Sequence, residues 1–241
     1  MIYKYENYQN FLEYLKQLGE IVPFKDWKDN EKVFLLRHDV DLDINLAYIL
    51  AQKESEVNVR STFFILTTSD IYNILCKSNS QKLRGMADLG FEIGLHFDPS
   101  LYDSTDLLRM LKYECEILTF VTGSEVKSIS LHNPSVYMEY PIFEGFINAY
   151  DPIIFNNDCY ISDSRMNFRG KKLDKFVKRI KHSAIQILLH PMHYSETGFG
   201  YDEIMRTYLI ELFYKIDTYF RINSTYNKQV PIDFIDKLTN R

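Results

Sequence analysis

Cysteine is scarce. Cys76, Cys115 and Cys159 are the only three in 241 residues, far apart and odd in number. That argues against a disulfide framework and against a cysteine-built metal site, and it points to a reducing compartment. Long apolar runs are missing too. No stretch approaches the roughly 20 residues of a membrane-spanning helix, and the opening MIYKYENYQNFLEYLKQLGE is too polar for a signal-peptide core. The expectation is a cytoplasmic protein with no transmembrane segment. Positive charge is in deficit, with 28 Lys and Arg against 33 Asp and Glu and a net charge of -5. A general nucleic-acid binder needs the opposite balance to displace counterions. No like-charged run is long enough for a tail, and no repeat, low-complexity tract or Pro/Gly/Ser linker divides the chain. One domain over 1–241 is expected, a length that α/β barrels routinely reach.

Aromatic side chains are abundant, 15% of residues and mostly Tyr and Phe. They suit a core or a ligand cleft equally well, so the order of local patterns says more. Val33–Leu36 is the short apolar run of a buried strand, and 42–56 then switches to helical spacing. Strand-like runs recur at 61–66 (STFFIL), 91–95 (FEIGL), 126–131, near 160–161 and at 185–189 (IQILL). Helical stretches cover 80–89, 104–121 with a Gly123 stop, and 201–220. Such alternation predicts a largely parallel sheet under helices, either an open doubly wound sheet or a barrel. Both architectures place ligands at the carboxyl ends of their strands.

The polar residues collect there. Strand one runs into Arg37-His38-Asp39-Val40-Asp41, strand three into His96-Phe97-Asp98 and strand four into His132-Asn133. Strand five runs into Asp163-Ser164-Arg165 and strand six into His190-Pro191-Met192-His193. One histidine is usually a packing or surface residue, but five of the six on one predicted rim argue for a site. In extended backbone Arg37, Asp39 and Asp41 share a face while His38 takes the other. Two neighbouring carboxylates repel unless a cation or proton lies between them, so Asp39 and Asp41 suggest a metal. The bland alternative is a turn or cap, a role that also suits Asp43. Imidazole with carboxylate fits zinc or a similar divalent ion. Asp41 and His96 are then ligands, and Asp98 or His132 supplies the third, with His132 preferred as ligand or substrate-facing group. Arg37 and Arg165 suit an anionic substrate group, and Arg37 equally suits pairing with an Asp of the cluster. Tyr137, Tyr140, Phe143 and Phe146 have the spacing of a short amphipathic core helix, with shelter for a sugar ring as the alternative.

Together these motifs resemble the NodB-homology polysaccharide deacetylases, carbohydrate esterase family four, over roughly residues 33 to 194. RHDVD at 37–41 is similar to the family's first motif, a strand ending Thr-Phe-Asp-Asp, and STFF at 61–64 matches its following strand. FEIGLH at 91–96 resembles Glu-Ile-Gly-x-His, and ILLH at 187–190 resembles the late histidine motif. The resemblance implies an irregular (β/α) barrel of about seven strands. It implies Asp39 as catalytic base, Asp41 and His96 as metal ligands, His190 as general acid and Asp163 as its support. Two positions depart from the pattern. The family's second metal histidine, four residues past the first, is Ser100 here. Where the third motif brings an Arg before its prolines, this chain has Ser130-Leu131-His132-Asn133-Pro134-Ser135. The set is similar to a branch predicted from surface-polysaccharide gene clusters, with the same RHDVD, GLHFD and SDSR signatures.

The activity so implied is zinc-dependent removal of an N-acetyl or N-formyl group from a sugar. With no export signal, a nucleotide- or lipid-linked precursor is the expected substrate. The alternatives are another C–N hydrolase that opens a cyclic amide on the same scaffold, and a non-catalytic sugar-binding homologue.

Overall fold

A computed structural model describes residues 3–29 and 31–239. They group into two compact units, Met1–Gly198 and Phe199–Arg241, each described by itself. The first unit opens with α1 (Tyr5–Leu18), β1 (Ile21–Val22), β2 (Phe34–Val40), α2 (Ile44–Glu56) and β3 (Thr62–Ile65). It continues with α3 (Lys77–Asp88), β4 (Glu92–Phe97), α4 (Leu107–Thr122) and β5 (Ser128–Leu131). The one-turn α5 (Pro134–Tyr137), β6 (Ile147–Asn148), β7 (Tyr160–Ser162), the one-turn α6 (Leu173–Phe176) and β8 (Ile185–Leu189) follow.

Every strand pairing is parallel, and the path runs β6-β5-β4-β3-β2-β8-β7 with β1 beside the start of β2. This is the expected irregular (β/α) barrel, seven strands along one curled path. Gln186 of β8 links that path to the segment after β6: its amide donates to the carbonyls of Ala149 (2.8 Å) and Ile154 (3.0 Å). A buried amide in an otherwise apolar strand is stable only when its polar atoms are paired, as they are here.

The strands have two different faces. On β2, Arg37 and Asp39 point inward to Gln186 and Ser130, while His38 points outward. His38 stacks on Phe63 and bonds Glu54 of α2 at 2.6 Å, and Tyr8 of α1 and Ser61 donate to the same carboxylate. That network pins two helices to the barrel wall. It also corrects the predicted rim. β2 stays paired with β3 from Arg37↔Thr62 to Val40↔Ile65, so His38 lies inside the strand and faces the helices. His96 likewise lies within β4, but on the inner face.

Gly94 is required by close packing. A Cβ there would stand 2.6 Å from the Phe64 ring and 3.0 Å from the Ser128 carbonyl. Phe64 in turn packs 5.6 Å from the Arg37 guanidinium. Gly94→Ala should therefore cost about 1–3 kcal/mol, as overpacked cores do. A urea midpoint unchanged from wild type would show that Phe64 yields without cost.

The predicted core helix through 137–146 does not form beyond the turn ending at Tyr137. Pro141 cannot donate the next helical hydrogen bond, and Gly145 takes φ +87°. Phe143 is buried and Phe146 half-buried, as core residues, whereas Tyr140 lines the cleft described below. The side chain of Tyr137 lies outside the described part. In the second unit, α7 (Tyr201–Phe220) is followed by α8 (Ser224–Gln229) and α9 (Phe234–Thr239). Asn223 caps α8, and Arg221 pairs with Asp217 at 2.8 Å. Among the described residues no helix is long and apolar enough to cross a membrane.

Candidate active site

At the carboxyl ends of β2, β4, β5 and β8 a cleft of about 580 Å³, counted to its open mouth, is lined by Asp39, Asp41, His96, His132 and His190. Tyr140, Tyr150, Phe155 and Tyr160 wall it on one side. Five residues predicted from four separate segments thus meet in one place.

Asp39 is buried and tightly held. Arg37 Nε and Nη2 each donate to one of its oxygens at 2.8 Å, and both side chains are buried. The guanidinium also donates to Gln186 (3.0 Å), Ser130 (2.5 Å) and Tyr150 (3.0 Å), with its carbon 4.7 Å from the centre of the Tyr150 ring. Arg37 is wholly buried and has no face left for substrate. The substrate-binding role expected for it is therefore replaced by the pairing role. Burial works against charge on Asp39, but Arg37 first, then His96, hold its pKa below the ordinary carboxylate range.

Asp41, His96 and His132 form a separate triangle. Asp41 Oδ1 lies 3.2 Å from His96 Nε2 and 3.4 Å from His132 Nδ1, and the two nitrogens are 3.2 Å apart. Four donors around zinc at about 2.0–2.1 Å stand about 3.3–3.4 Å from one another, so the three edges fit one shared ion. Asp41 Oδ1 is also buried without a hydrogen bond, an unusual state for a carboxylate oxygen and one that a cation relieves. Burial disfavours its charge, yet His132 and His96 beside it keep its pKa well below normal. A neighbouring hydroxyl steadies one ligand: His96 Nδ1 lies 3.1 Å from Ser130 Oγ, which leaves Nε2 for the triangle. These residues fit a divalent ion.

Asp98, the other candidate third ligand, is occupied elsewhere. Its Oδ1 accepts from Ser100 N (3.0 Å) and Ser100 Oγ (2.6 Å), capping a turn. Of the two candidates, the structure brings His132 to Asp41 and His96. Ser100, where the family pattern has its second histidine, serves that turn.

On the opposite wall, His190 Nε2 reaches 3.7 Å from Asp41 Oδ2. Its Nδ1 donates to buried Asp163 at 2.6 Å, and its backbone N–H donates to the same carboxylate at 3.1 Å. His193 Nδ1 donates to the other Asp163 oxygen at 3.0 Å. Asp163, His190 and His193 are also close enough to be a metal set, but here each carboxylate oxygen already accepts a hydrogen bond from one imidazole. Burial disfavours the imidazolium, and Asp163 outweighs it, pushing His190 up to about 9. Asp163 itself is held low by His190, against burial.

Arg165 is exposed and does not line the cleft; Arg169, four residues on, does. Ser130, Tyr150, Gln186 and His193 were not assigned roles from sequence. Two of them carried a signal: Ser130 is in phase with His132 along β5, and Gln186 is the one polar residue in IQILL.

No protein-family model matches the chain, and no curated protein matches it in sequence. Solved structures do resemble it. The chitin deacetylase of the fungal pathogen Colletotrichum lindemuthianum aligns at 16% identity and a TM-score of 0.48, over 78% of this chain and 85% of that one. A peptidoglycan deacetylase from Bacillus subtilis aligns at 18% and 0.43, over 75% and 85%. A CE4 family pseudoenzyme from Bacillus anthracis aligns at 16% and 0.42, and this chain covers 76% of itself but only 63% of that protein.

Proposed function

We propose that this protein is a metal-dependent hydrolase that removes an acetyl or formyl group from the nitrogen of a sugar. The observation that carries the reading is the juxtaposition, in one cleft, of a three-donor metal triangle, an arginine-held carboxylate and an aspartate-held histidine. One carboxylate and two imidazoles suit zinc best among common divalent ions.

Asp41, His96 and His132 would hold the ion, which when bound polarises an acyl carbonyl and acidifies water. Asp39 is the base. Two hydrogen bonds from Arg37 aim its carboxylate into the cleft, where it can take a proton from the attacking water. His190 is the acid. Asp163 fixes its tautomer and keeps it protonated at neutral pH, with Nε2 facing the cleft, ready to protonate the leaving amine. Without that proton the tetrahedral adduct would expel water instead of the amine. The aromatic wall of Tyr140, Tyr150, Phe155 and Tyr160 offers apolar faces for a sugar ring.

The test is acyl release from a panel of N-acetylated and N-formylated amino sugars, run beside metal analysis. Asp41→Asn should weaken binding of added zinc by on the order of 100-fold or more, since even groups behind a ligand cost 10–100-fold, and turnover should fall with it. Zinc-loaded wild type that releases no acyl group from any member of the panel would remove this reading.

A further inference from the structure

The net charge of -5 conceals a strong local excess of the other sign. Residues 165–181 hold Arg165, Arg169, Lys171, Lys172, Lys175, Lys178, Arg179 and Lys181 against one acid, Asp174. The segment carries +7, so the rest of the chain carries -12. All eight basic residues are exposed, and among the described residues only Arg179 has a carboxylate partner, Asp158 at 3.1 Å. An ordinary solvated surface interleaves both signs; this one does not. The charges are also close together. Lys171 and Arg179 flank the Phe176 ring at 4.8 and 4.9 Å, and Lys171 is less basic than usual, first through partial burial and then through Arg179.

One member of this group enters the cleft. Arg169 lines it together with Ser164, and its Nη2 donates to Ser164 Oγ at 3.2 Å. Its backbone sits at φ +51°, a conformation rare for a long side chain. Among the described residues its remaining guanidinium hydrogens have no acidic partner, although the same cleft is lined by Asp39 and Asp41. A neutral sugar needs no such cation, whereas a phosphate is matched by a guanidinium fork and a hydroxyl donor.

We propose that Arg169 and Ser164 form an anion subsite that binds a phosphate or diphosphate group attached to the sugar, with the 165–181 segment drawing such substrates in. The inference rests on the N-acyl sugar reading for where the sugar lies, and it names the class of sugar. The phosphate can come from a nucleoside diphosphate or from a polyprenyl diphosphate.

Turnover and binding measured in parallel test it. The probes are N-acetylglucosamine, UDP-N-acetylglucosamine and undecaprenyl-diphosphate-linked N-acetylglucosamine in detergent for turnover, and UDP alone for calorimetry. The zinc-loaded enzyme should prefer a diphosphate-linked sugar over the free one by about 100-fold or more in kcat/KM. Arg169→Gln should raise KM for it about 10- to 100-fold, the effect of losing a charged hydrogen bond. Arg169→Lys should fall between, and Lys112→Gln on α4 should change nothing. Whichever carrier is turned over faster identifies the source. If no sugar is turned over yet UDP binds and Arg169→Gln weakens it tenfold, the subsite stands and the deacylase reading fails. If free and diphosphate-linked sugars react alike in wild type and Arg169→Gln, the deacylase reading stands and the subsite is overturned. Vesicles of anionic lipid that bind through the basic segment, with Arg169→Gln kinetics unchanged, would reassign it to membrane attachment and overturn the subsite. Neither turnover nor UDP binding would overturn both.

Discussion

Asp39→Asn is expected to lower kcat by about 10²–10⁴-fold, the usual worth of a positioned general base, while zinc stays bound. The two effects separate because Asp39 lies outside the triangle: its nearest approach there is 3.8 Å, to His96 Nε2. The substitution also removes the carboxylate that, among the described residues, alone pairs with buried Arg37. Breaking one partner of a buried pair costs about 3–5 kcal/mol, because the other charge is left unpaired in a low-dielectric interior. For a chain of this size that is a fall in Tm of roughly 10 °C. Activity must therefore be read well below the new Tm, on protein whose zinc content matches wild type. The double variant Arg37→Met, Asp39→Asn removes the orphaned charge and should recover much of the stability with none of the turnover. Recovery of both would mean that Asp39 serves the fold and another group takes the proton.

The choice of barrel over open sheet came only from the resemblance of the motifs. The sequence itself made the parallel sheet under helices legible because strands buried on both sides read as short apolar runs followed by helical spacing. It made most of the cleft legible for the same reason. Asp41, His132, Asp163 and His190 follow their strands directly, where the fold exposes side chains. Less visible was the direction of each side chain. β2 continues three residues past the polar break because β3 pairs with it to the end, so His38 goes to the helices and Arg37 to the interior. An arginine in a strand reads as a surface or ligand group until its partners are known. Here those partners come from four places in the chain: Asp39, Ser130, Tyr150 and Gln186. Arg165 and Arg169 differ in the same way. Their order along the chain gave Arg165 the better claim, but the turn after Asp163, with positive φ at Met166 and Arg169, brings the later residue into the cleft. Long-range pairing and left-handed turns leave little trace in local composition.

Asp163→Asn should shift the alkaline limb of the pH–rate profile toward acid and lower kcat at pH 8 by about 100-fold or more, within the range for a general acid that loses its orienting carboxylate. The sign follows from His190. The acid form is required for turnover, and Asp163 raises its pKa to about 9 against the effect of burial. Wild-type turnover is therefore sustained from neutrality upward and lost as pH rises through about 9, with a positive ion on Asp41 moving that limb somewhat lower. With Asn at 163 the neutral amide no longer stabilises the imidazolium, so burial is opposed only by the weaker pull of Asp41 and Asp39 and the limb should move down from about 9 toward the ordinary histidine range. His193 loses its hydrogen bond to the Asp163 carboxylate at the same time, so a stability loss is expected as well. A leaving-group comparison separates chemistry from damage to the fold. An aryl acetate expels a phenoxide that needs no proton, and on such a substrate Asp163→Asn and His190→Ala should approach wild-type rates. Equal defects on amide and activated ester would mean that the Asp163–His190 pair holds the cleft together but does not donate the proton.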